Sequence, residues 1–333
     1  MLRPRWLLAL GALLGSVSFA QPTAAPLASL QLGQAPAVRG DFSVLTYNVK
    51  GLPWPIARGR EEPLRLIGER LARMRAAGRQ PTVVVLQEAF IDDAKAIGRI
   101  AGYRYRASGP TVRDDDRTPA SRKRTWYRGE TMGTVLDSGL VLLSDVSISD
   151  VKRVAFPAGS CGGYDCLAAK GVLAATLTFP EGRKVTVATT HMNARGASGI
   201  PANEADAAYA REAAALRAVL SERAGNTVMI IAGDFNRGQW PSRTASLRRA
   251  VAAINGGAAP REGLRTVMAA DPAGLGANSD AQWIRSHARD LQFVIQGARQ
   301  IRPVAAAIPF GTEADGSTLS DHHGFTIAYR FAD

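Results

Sequence analysis

Cysteine and histidine are scarce in this sequence, which has two and four of them, respectively, among 333 residues. The two cysteines, Cys161 and Cys166 in "CGGYDC", are five positions apart and have no histidine beside them. That composition argues against a zinc site at this loop. In an oxidising compartment, a local disulfide that closes the glycine-rich loop is the expected alternative.

Several familiar patterns are also missing. After its first 20 residues the sequence has no apolar run long enough to span a bilayer, and it has neither repeats nor heptads. Gly-x-Ser-x-Gly, P-loop and His-Glu-x-x-His motifs are absent. Ser320, Asp321 and His322 are consecutive, and neighbours in sequence cannot hydrogen-bond in series as a catalytic triad does. A serine hydrolase is therefore excluded.

The first residues have the layout of a secretory signal. Arg3 and Arg5 precede an apolar run, and Ser18 and Ala20 follow it, which predicts a signal peptide over 1–20 with cleavage after Ala20. Residues 21–40 are rich in Ala, Pro and Gln and are expected to form a flexible leader, so the catalytic domain is assigned to 41–333. We expect an exported monomer, either secreted or periplasmic.

Positive charge is abundant, with a formal net charge of +12. This charge favours polyanionic partners, either nucleic acid or an anionic membrane surface, although an arginine-rich composition without a dedicated partner also accounts for it. Residues 99–130 mix nine basic residues with Tyr103, Tyr105, Trp126 and Tyr127. Such a segment suits phosphate backbones and stacked bases, or it is an ordinary surface loop.

Short apolar runs alternate with amphipathic segments along the chain. The predicted strands are 41–49, 81–88, 138–145, 170–179, 184–191, 226–234, 290–297 and 324–331. Several of them are continuously apolar, which indicates burial on both faces. Helices are predicted over 61–78 and 203–225. The sequence therefore predicts an α/β domain in which stacked sheets are covered by helices.

Polar side chains of a restricted chemical type follow the predicted strands. They are Asn48, Glu88, His191, and the pair Asp234 and Asn236. The cluster "SDHH" stands instead at the start of its strand, as an antiparallel neighbour requires to reach the same edge. One charged residue after a strand is common, but this recurrence indicates a single site.

These groups suit hydrolysis at phosphorus. The oxygens of Glu88, Asn48 and Asp321 are the ligands that Mg²⁺ or a similar divalent ion prefers over the ligands of zinc. Such an ion neutralises phosphoryl oxygens and stabilises the leaving oxygen. The sequence therefore predicts a metal site formed by these three residues.

The remaining site residues are assigned to catalysis. His322 can take a proton from water at neutral pH. Asp234 and Asn236 are two positions apart, so in an extended segment they face the same side, where one orients water and the other contacts phosphate. His191 can hold the phosphate or protonate the leaving group. Asp290 is expected to fix a histidine tautomer.

Seven segments, taken in order, resemble the endonuclease/exonuclease/phosphatase superfamily, which has the deoxyribonuclease I fold. They are "LTYNVKGLP", "VVLQEAF", "GLVLLS", "TTHMNA", "IIAGDFN", "RDLQFV" and "LSDHHGF", and the likeness runs over most of 41–331. It implies a two-sheet β-sandwich flanked by helices in four layers. It also implies Mg²⁺, or Mn²⁺ or another divalent ion, held near Asn48 and Glu88, with His322 as the base.

Within that superfamily, "LTYNVKGLPWP", "LQEAF", "CLAAKGVLAATL" and "THMNA" look most like secreted bacterial neutral sphingomyelinases, which act as phospholipases C. This likeness implies a lipid substrate and a substrate-binding role for Asn193. The aromatic hairpin that some of those enzymes insert into bilayers has no clear equivalent, because its interval offers Ile308 and Phe310 as large apolar candidates.

Alternatives to the lipid substrate stay open at this point. A secreted non-specific nuclease and a phosphatase of soluble phosphoesters use similar catalytic groups, and the basic segment 99–130 serves a nuclease equally well. A non-catalytic binding module is disfavoured by the intact set of site residues. Trp54 and Trp240 lie close to catalytic motifs and are interpreted as lipid contacts or as packing residues.

Overall fold

The computed structural model describes residues 40–114, 128–157, 159–225, 227–297 and 300–332. The predicted signal peptide and all but the last residue of the predicted leader lie outside these ranges. The same holds for 115–127 of the basic segment, including Trp126 and Tyr127.

The described residues form twelve strands and six α-helices. The strands are β1 (Phe42–Gly51), β2 (Val83–Ala89), β3 (Tyr105–Ser108), β4 (Val141–Ser144), β5 (Ser147–Ala155), β6 (Gly171–Thr178), β7 (Lys184–His191), β8 (Val228–Asp234), β9 (Arg261–Glu262), β10 (Asp290–Ile295), β11 (Ile301–Phe310) and β12 (Gly324–Phe331). The helices are α1 (Glu61–Ala76), α2 (Asp92–Ile100), α3 (Ala202–Ser221), α4 (Pro241–Ile254), α5 (Gly263–Ala270) and α6 (Ser279–His287). None of these helices has both the length and the hydrophobicity needed to cross a membrane.

Two mixed sheets pack face to face. One has the strand order β11-β12-β1-β2-β4-β3 and the other has the order β5-β6-β7-β8-β10-β9. The pairs β1–β2 and β7–β8 are parallel, and the neighbouring pairs are antiparallel. Val44 and Val85 of the first sheet share a buried core with Val187 and Ile230 of the second. The predicted two-sheet α/β sandwich is confirmed.

Helices cover the outer face of each sheet, which explains the continuously apolar strands. In β2, Val83 and Val85 face the core between the sheets, whereas Val84 and Leu86 pack against α1 and α2. On the other side, α3 and α4 cover the second sheet through a separate apolar cluster. Because successive side chains of a strand point to opposite faces, burial on both faces requires an apolar residue at nearly every position.

The edge strands β3, β5, β9 and β11 and the helices α2, α4, α5 and α6 were not predicted from the sequence. β5 was missed because it alternates polar with half-buried residues, as an exposed edge does. β11 contains Pro303 and Pro309 and a run of alanines, which weaken the strand signal. Phe310 ends β11 with its ring 4.8 Å from that of Tyr47 and is buried, and Ile308 packs against the core. Neither residue forms an apolar hairpin tip.

The basic segment 99–130 is not one long loop where it is described. Residues 99 and 100 end α2, and residues 105–108 form β3, which pairs with β4. Tyr103 donates a hydrogen bond from its hydroxyl to the carbonyl of Pro81 (2.8 Å), and the guanidinium of Arg75 stacks on its ring. These contacts give Tyr103 a structural role.

Candidate active site

Four predicted site residues meet at one edge of the two sheets. Asn48 and Glu88 lie toward the carboxyl ends of the parallel strands β1 and β2, and His191 and Asp234 end the parallel strands β7 and β8. His191 and Asp234 are directly paired in the β7–β8 register. Because β10 and β12 run antiparallel to these strands, their first residues reach the same edge.

A close approach of two strands brings His191 against Asp234. A Cβ atom on Gly233 would lie 2.2 Å from the backbone oxygen of Thr190, so the position before Asp234 accepts glycine alone without displacement of the backbone.

Two site residues have left-handed backbone conformations, with φ of 57° at Glu88 and 46° at Asn236. Asparagine tolerates this region, whereas for glutamate it is unusual and stores strain of the kind that concentrates at functional sites. The chain is therefore not extended at Asn236 as predicted, although Asp234 and Asn236 both line the same cavity. Instead, the backbone N–H of Asn236 donates to Oδ1 of Asp234 (2.8 Å) and its side chain donates to the carbonyl of Met192 (2.9 Å).

Asn48 holds the two carboxylates in place. Its Nδ2 donates to Oε1 of Glu88 (2.9 Å) and to Oδ2 of Asp234 (3.0 Å), while its Oδ1 accepts from the backbone N–H of Lys50 (3.0 Å). This pattern orients the amide, because the reverse orientation would place the oxygen against two carboxylates. The oxygen of Asn48 faces Lys50 rather than the cluster. Its predicted role as a metal ligand stays a prediction that this arrangement does not support.

His191 is a neutral imidazole beside two carboxylates. Its Nε2 lies 3.5 Å from Oδ2 of Asp234 and 3.9 Å from Oε1 of Glu88. Burial and, after it, the charge of Lys170 lower the pKa of His191 to about 4. Its Nδ1 is buried without a hydrogen-bond partner among the described residues. At neutral pH this side chain can donate one hydrogen bond but carries no positive charge.

His322 has the opposite charge state. Its Nδ1 donates to Oδ2 of Asp290 (2.6 Å), and its Nε2 lies 3.7 Å from Oδ2 of Asp234. Burial alone would lower the pKa of His322, but the carboxylates of Asp290 and Asp234 outweigh it and raise that pKa to about 10. The two histidines of the site are thus driven apart in pKa by their surroundings, as in acid–base pairs.

Burial and neighbouring charges also shift the pKa values of the carboxyl groups of the site. Burial raises the pKa of Glu88 and that of Asp290. Burial acts in the same direction on Asp234, but the positive charge of His322, the adjacent His191 imidazole, and the hydrogen bonds from Asn48 and Asn236 give Asp234 a lowered pKa. Asp234 is therefore the carboxylate most firmly held in its ionised form.

The acidic side chains fit a divalent cation. Among the described residues, ligand atoms of Glu88, His191 and Asp234 lie within 4.8 Å of one another, and so do those of Asp234, Asp290 and His322. Carboxylate oxygens dominate both groups, which is the chemistry of hard ions such as Mg²⁺. Asp321 lies at the edge of the cavity with its side chain 53% exposed, and it is paired with Lys50 at 3.3 Å.

Buried charged residues support the segment that follows His191. The backbone of 192–194 accepts from Lys170 (3.2 Å) and Arg243 (2.7 Å) and donates to Glu212 (2.6 Å) and Asp165 (2.7 Å). Burial raises the pKa of Glu212 to about 8. Arg243, although fully buried, also donates to the carbonyl of Asn236 (2.9 Å). These four residues were missed, because charges on helices or beside strands look solvated in a sequence.

The structure does not place Asn193 where it would contact substrate. Its side chain is fully buried, accepts a hydrogen bond from the N–H of Gly162 (2.9 Å) and donates to the carbonyl of Ala194 (2.7 Å). Asn193 therefore connects this segment to the loop in which Cys161 and Cys166 are joined by a disulfide. The substrate-binding role predicted for Asn193 has no support in this geometry.

The site opens into a cavity of about 1080 Å³. The residues that line it include Glu88, His191, Asp234, Asn236 and His322. Most of its walls are apolar or aromatic, and they include Leu52, Ile56, Phe90, Leu136, Tyr164, Leu167, Ile200 and Trp240. Basic groups on the wall are Lys170, which pairs with Asp165, and Arg195 and Arg289.

Comparison with known proteins identifies the family. The sequence matches the endonuclease/exonuclease/phosphatase family over residues 45–322. The chain belongs to this family. A sphingomyelinase of Mycobacterium tuberculosis is 27% identical over 223 residues, and a sphingomyelinase of Mycobacterium bovis matches equally well. These matches cover 66% of the chain and 38% of each relative, so the chain spans about two fifths of the length of the curated relatives it matches.

Solved structures share the fold of this endonuclease/exonuclease/phosphatase family member. A variant of the Staphylococcus aureus beta toxin with bound magnesium ions superimposes with a TM-score of 0.58 at 15% identity, covering 86% of this chain and 99% of the toxin. Sphingomyelinase C from Streptomyces griseocarneus gives 0.56 at 23% identity, covering 88% and 99%. D. rerio TDP2 in complex with a single-strand DNA product gives 0.54 at 16% identity, covering 86% and 98%.

Proposed function

We propose that this protein is a divalent-metal-dependent phosphodiester hydrolase that cleaves phospholipids as a phospholipase C does, with sphingomyelin as the first candidate substrate. The observation that carries this proposal is the mainly apolar lining of the cavity that also contains the acidic and imidazole groups. A lipid matches such a wall better than a polyanion does, because a polyanion needs many basic contacts. The two sphingomyelinase relatives support the same choice.

The metal ion would be held by Glu88, with Asp321 at the cavity edge as a further oxygen ligand. Mg²⁺ is our first choice because the available donors are mainly carboxylate oxygens, and Mn²⁺ would suit them as well. A bound ion supplies positive charge for the phosphoryl oxygens and the leaving oxygen. Asn48 would keep the carboxylates of Glu88 and Asp234 oriented toward the same space.

His191 would bind phosphate rather than protonate the leaving group. Its lowered pKa leaves it neutral at physiological pH, so its Nε2–H can donate to a phosphoryl oxygen but the ring has no extra proton to give. The nearby Asp234 carboxylate accepts hydrogen bonds and can orient an attacking water.

His322 would act on the proton of the attacking water, with Asp290 holding its Nδ1. In the described charge environment His322 is protonated at neutral pH. A divalent ion held by Glu88 and Asp321 would lower the pKa of His322, because its positive charge offsets the carboxylates that otherwise favour the imidazolium. His322 would therefore be neutral, and able to accept a proton, only when a bound cation neutralises the carboxylates of the site.

One parallel assay tests the proposal. Purified protein with Mg²⁺ is given sphingomyelin in detergent micelles and, separately, supercoiled plasmid DNA. We expect release of phosphocholine, little nicking of plasmid, and loss of release in the His322→Ala variant. His287→Ala is the matched control, because His287 lies on α6 and is not among the cavity-lining residues. Phosphocholine release that survives His322→Ala would refute the catalytic assignment.

A secreted nuclease is the second candidate, favoured by the formal net charge of +12. It predicts plasmid nicking that falls steeply as salt rises, because binding would release counterions from the phosphate backbone. If nicking exceeds phosphocholine release in the same assay, the nuclease replaces the phospholipase. Hydrolysis confined to small soluble phosphomonoesters would instead make the protein a phosphatase.

We also propose that the protein is exported and works as a monomer. The disulfide between Cys161 and Cys166 supports export, because such bonds persist in oxidising compartments. Mass spectrometry of protein recovered from a producing cell should show a mature chain that begins at Gln21. Size-exclusion chromatography with light scattering checks the monomer. A full-length chain retained in the cytoplasm, or a stable dimer, would contradict these assignments.

A further inference from the structure

Large hydrophobic side chains are exposed around the mouth of the cavity. Eight such side chains are exposed in the described part of the chain. We call six of them the apolar rim: Trp54, Ile56, Met132, Val135, Tyr164 and Trp240. Trp54 stands two residues before the cavity-lining Ile56, and Met132 four residues before the cavity-lining Leu136. Ile56, Tyr164 and Trp240 also line the cavity, and Val135 adjoins the cavity-lining Leu136. The exposed fractions reach 74% at Trp54 and 66% at Met132.

The backbone holds the rim side chains in these exposed positions. The N–H of Ile56 donates to the carbonyl of Pro53, that of Val135 to Leu167, and that of Tyr164 to Ser198, each at 2.9 Å. The carbonyl of Trp240 accepts from Thr244 as α4 begins. Such hydrogen bonds are typical of ordered loops, so the exposure of these apolar groups is part of the folded structure.

The two exposed hydrophobic residues outside the rim occupy different places. Tyr105 pairs with Ser144 at one end of β4, whereas Val141 at the other end pairs with Leu86, which is close to Glu88. Tyr105 therefore lies at the end of the sheet opposite the active site. Val112 follows β3 and donates its N–H to Asp137 (3.0 Å), near the loop that carries Val135.

We propose that the apolar rim docks on the surface of a phospholipid bilayer and places the cavity mouth against the lipid head groups. The choice of a lipid as partner rests on the proposed function. Tryptophan and tyrosine favour the interface between head groups and acyl chains, and the aliphatic side chains gain by burial beneath it. Six of the eight exposed large hydrophobic side chains of the described residues belong to the rim, and exposed apolar groups gathered in one region mark an interaction site.

Charge favours an anionic bilayer. Arg58 is exposed two residues after Ile56. The guanidinium of Arg195 lies 3.7 Å over the ring of Trp240 and is paired with Asp206 at 3.2 Å. The acidic groups at the mouth are largely paired, Asp321 with Lys50 and Asp165 with Lys170, while Asp137 stays exposed. Without Arg3 and Arg5 of the predicted signal peptide, the formal net charge falls from +12 to +10, and the mature protein is attracted to anionic lipid over distances of about one Debye length.

A nucleic acid fits this rim less well. Bases stack on flat aromatic rings, but Ile56, Met132 and Val135 offer none. The β11–β12 connection offers no substitute for the rim, since Phe310 is buried against Tyr47. Docking in this protein is therefore assigned to the described residues of four loops, which follow β1, precede β4, precede β6 and follow β8.

Vesicle binding without turnover tests the proposal. Large unilamellar vesicles of phosphatidylcholine, with and without phosphatidylglycerol, are sedimented with the protein in EDTA, so that hydrolysis is blocked. The triple variant Trp54→Ser, Met132→Ser, Val135→Ser removes rim residues that do not line the cavity, and Tyr105→Ser is the matched control. We expect the triple variant to bind at least tenfold more weakly and the control to bind like wild type. Phosphatidylglycerol should strengthen binding and added salt should weaken it.

A second measurement separates docking from catalysis. All variants should hydrolyse bis(4-nitrophenyl) phosphate, a small soluble phosphodiester, within twofold of wild type with Mg²⁺. Failure of every variant and of wild type to hydrolyse any phosphodiester would overturn the proposed function but leave the binding result readable. Equal vesicle binding by the triple variant and wild type would overturn the docking proposal. The docking proposal would also be overturned if the wild type bound DNA but not vesicles and the triple variant lost the binding to DNA.

Discussion

Replacement of Asp290 by asparagine tests the charge balance on which the site depends. Asp290 accepts the 2.6 Å hydrogen bond from Nδ1 of His322 and is the largest favourable contributor to the imidazolium. The pKa of His322 is raised from 6.5 to about 10, which corresponds to roughly 5 kcal/mol at about 1.4 kcal/mol for each pKa unit. That figure is the net result of opposing effects, because burial lowers the pKa of His322 while Asp290, Asp234 and Asp321 raise it, so it sets only the scale of the contribution of Asp290.

The direction of the pH dependence follows from the raised pKa. The charged form of His322 stabilises the folded protein fully below pH 6.5, and this stabilisation is lost as pH rises toward about 10. In Asp290→Asn the loss should shrink, so the free energy of unfolding should vary less between those two pH values than in wild type. Urea denaturation across this range measures the difference.

Two further readouts distinguish this effect from general destabilisation. Since the chain has four histidines, NMR titration of their ring protons can follow His322 directly. Its pKa should fall by at least about 2 in Asp290→Asn, and kcat should fall by about 10²-fold or more, as expected for a general base that has lost its orienting partner. An unchanged pKa of His322 in the variant would refute the reasoning.

The other predictions concern the backbone, the disulfide and the metal. Gly233→Ala should lower the free energy of unfolding by about 2 kcal/mol or more in urea denaturation, because the new Cβ would meet the oxygen of Thr190 at 2.2 Å; an unaltered transition would contradict the close approach. Replacement of both Cys161 and Cys166 by serine should lower the free energy of unfolding by about 2 kcal/mol, because the disulfide closes a short loop with a sequence separation of 5. Equal stability of this variant and wild type would show that the disulfide is dispensable. Millimolar Mg²⁺ should raise the melting temperature of the wild type, and EDTA should abolish hydrolysis. The Glu88→Gln variant should show no increase in melting temperature with Mg²⁺. If the increase persists in this variant, the ion binds elsewhere.

The sequence predicted the core of the fold because each internal strand is buried on two faces. All four residues from Val83 to Leu86 are apolar because they are buried on alternate faces of β2. Such an unbroken apolar run is visible in the sequence, whereas a strand with one exposed face alternates polar and apolar residues. Edge strands such as β5 and β11 carry no such requirement, and they were missed. Short amphipathic helices such as α4 were missed for a similar reason, because buried polar residues like Arg243 interrupt the apolar face.

The membership of the candidate site could be predicted in large part, since polar residues that end apolar strands have few structural reasons to be there. Their interactions could not be predicted. Asn48 proves to be a hydrogen-bond donor to two carboxylates, and Asn193 a buried connector, because the partner of an amide is set by residues far away in the chain. The charge states of His191 and His322 likewise depend on burial and on neighbours such as Lys170 and Asp290.

The sequence by itself determined which side chains stand at the strand ends, because the strand pattern and the order of the motifs are local properties of the chain. Only the tertiary structure decided which of these groups share a proton, which are paired and which hydrophobic residues reach the solvent at the cavity mouth. Those properties depend on distances of 3–4 Å between residues remote in sequence and on the exclusion of water, and neither is encoded in any single segment.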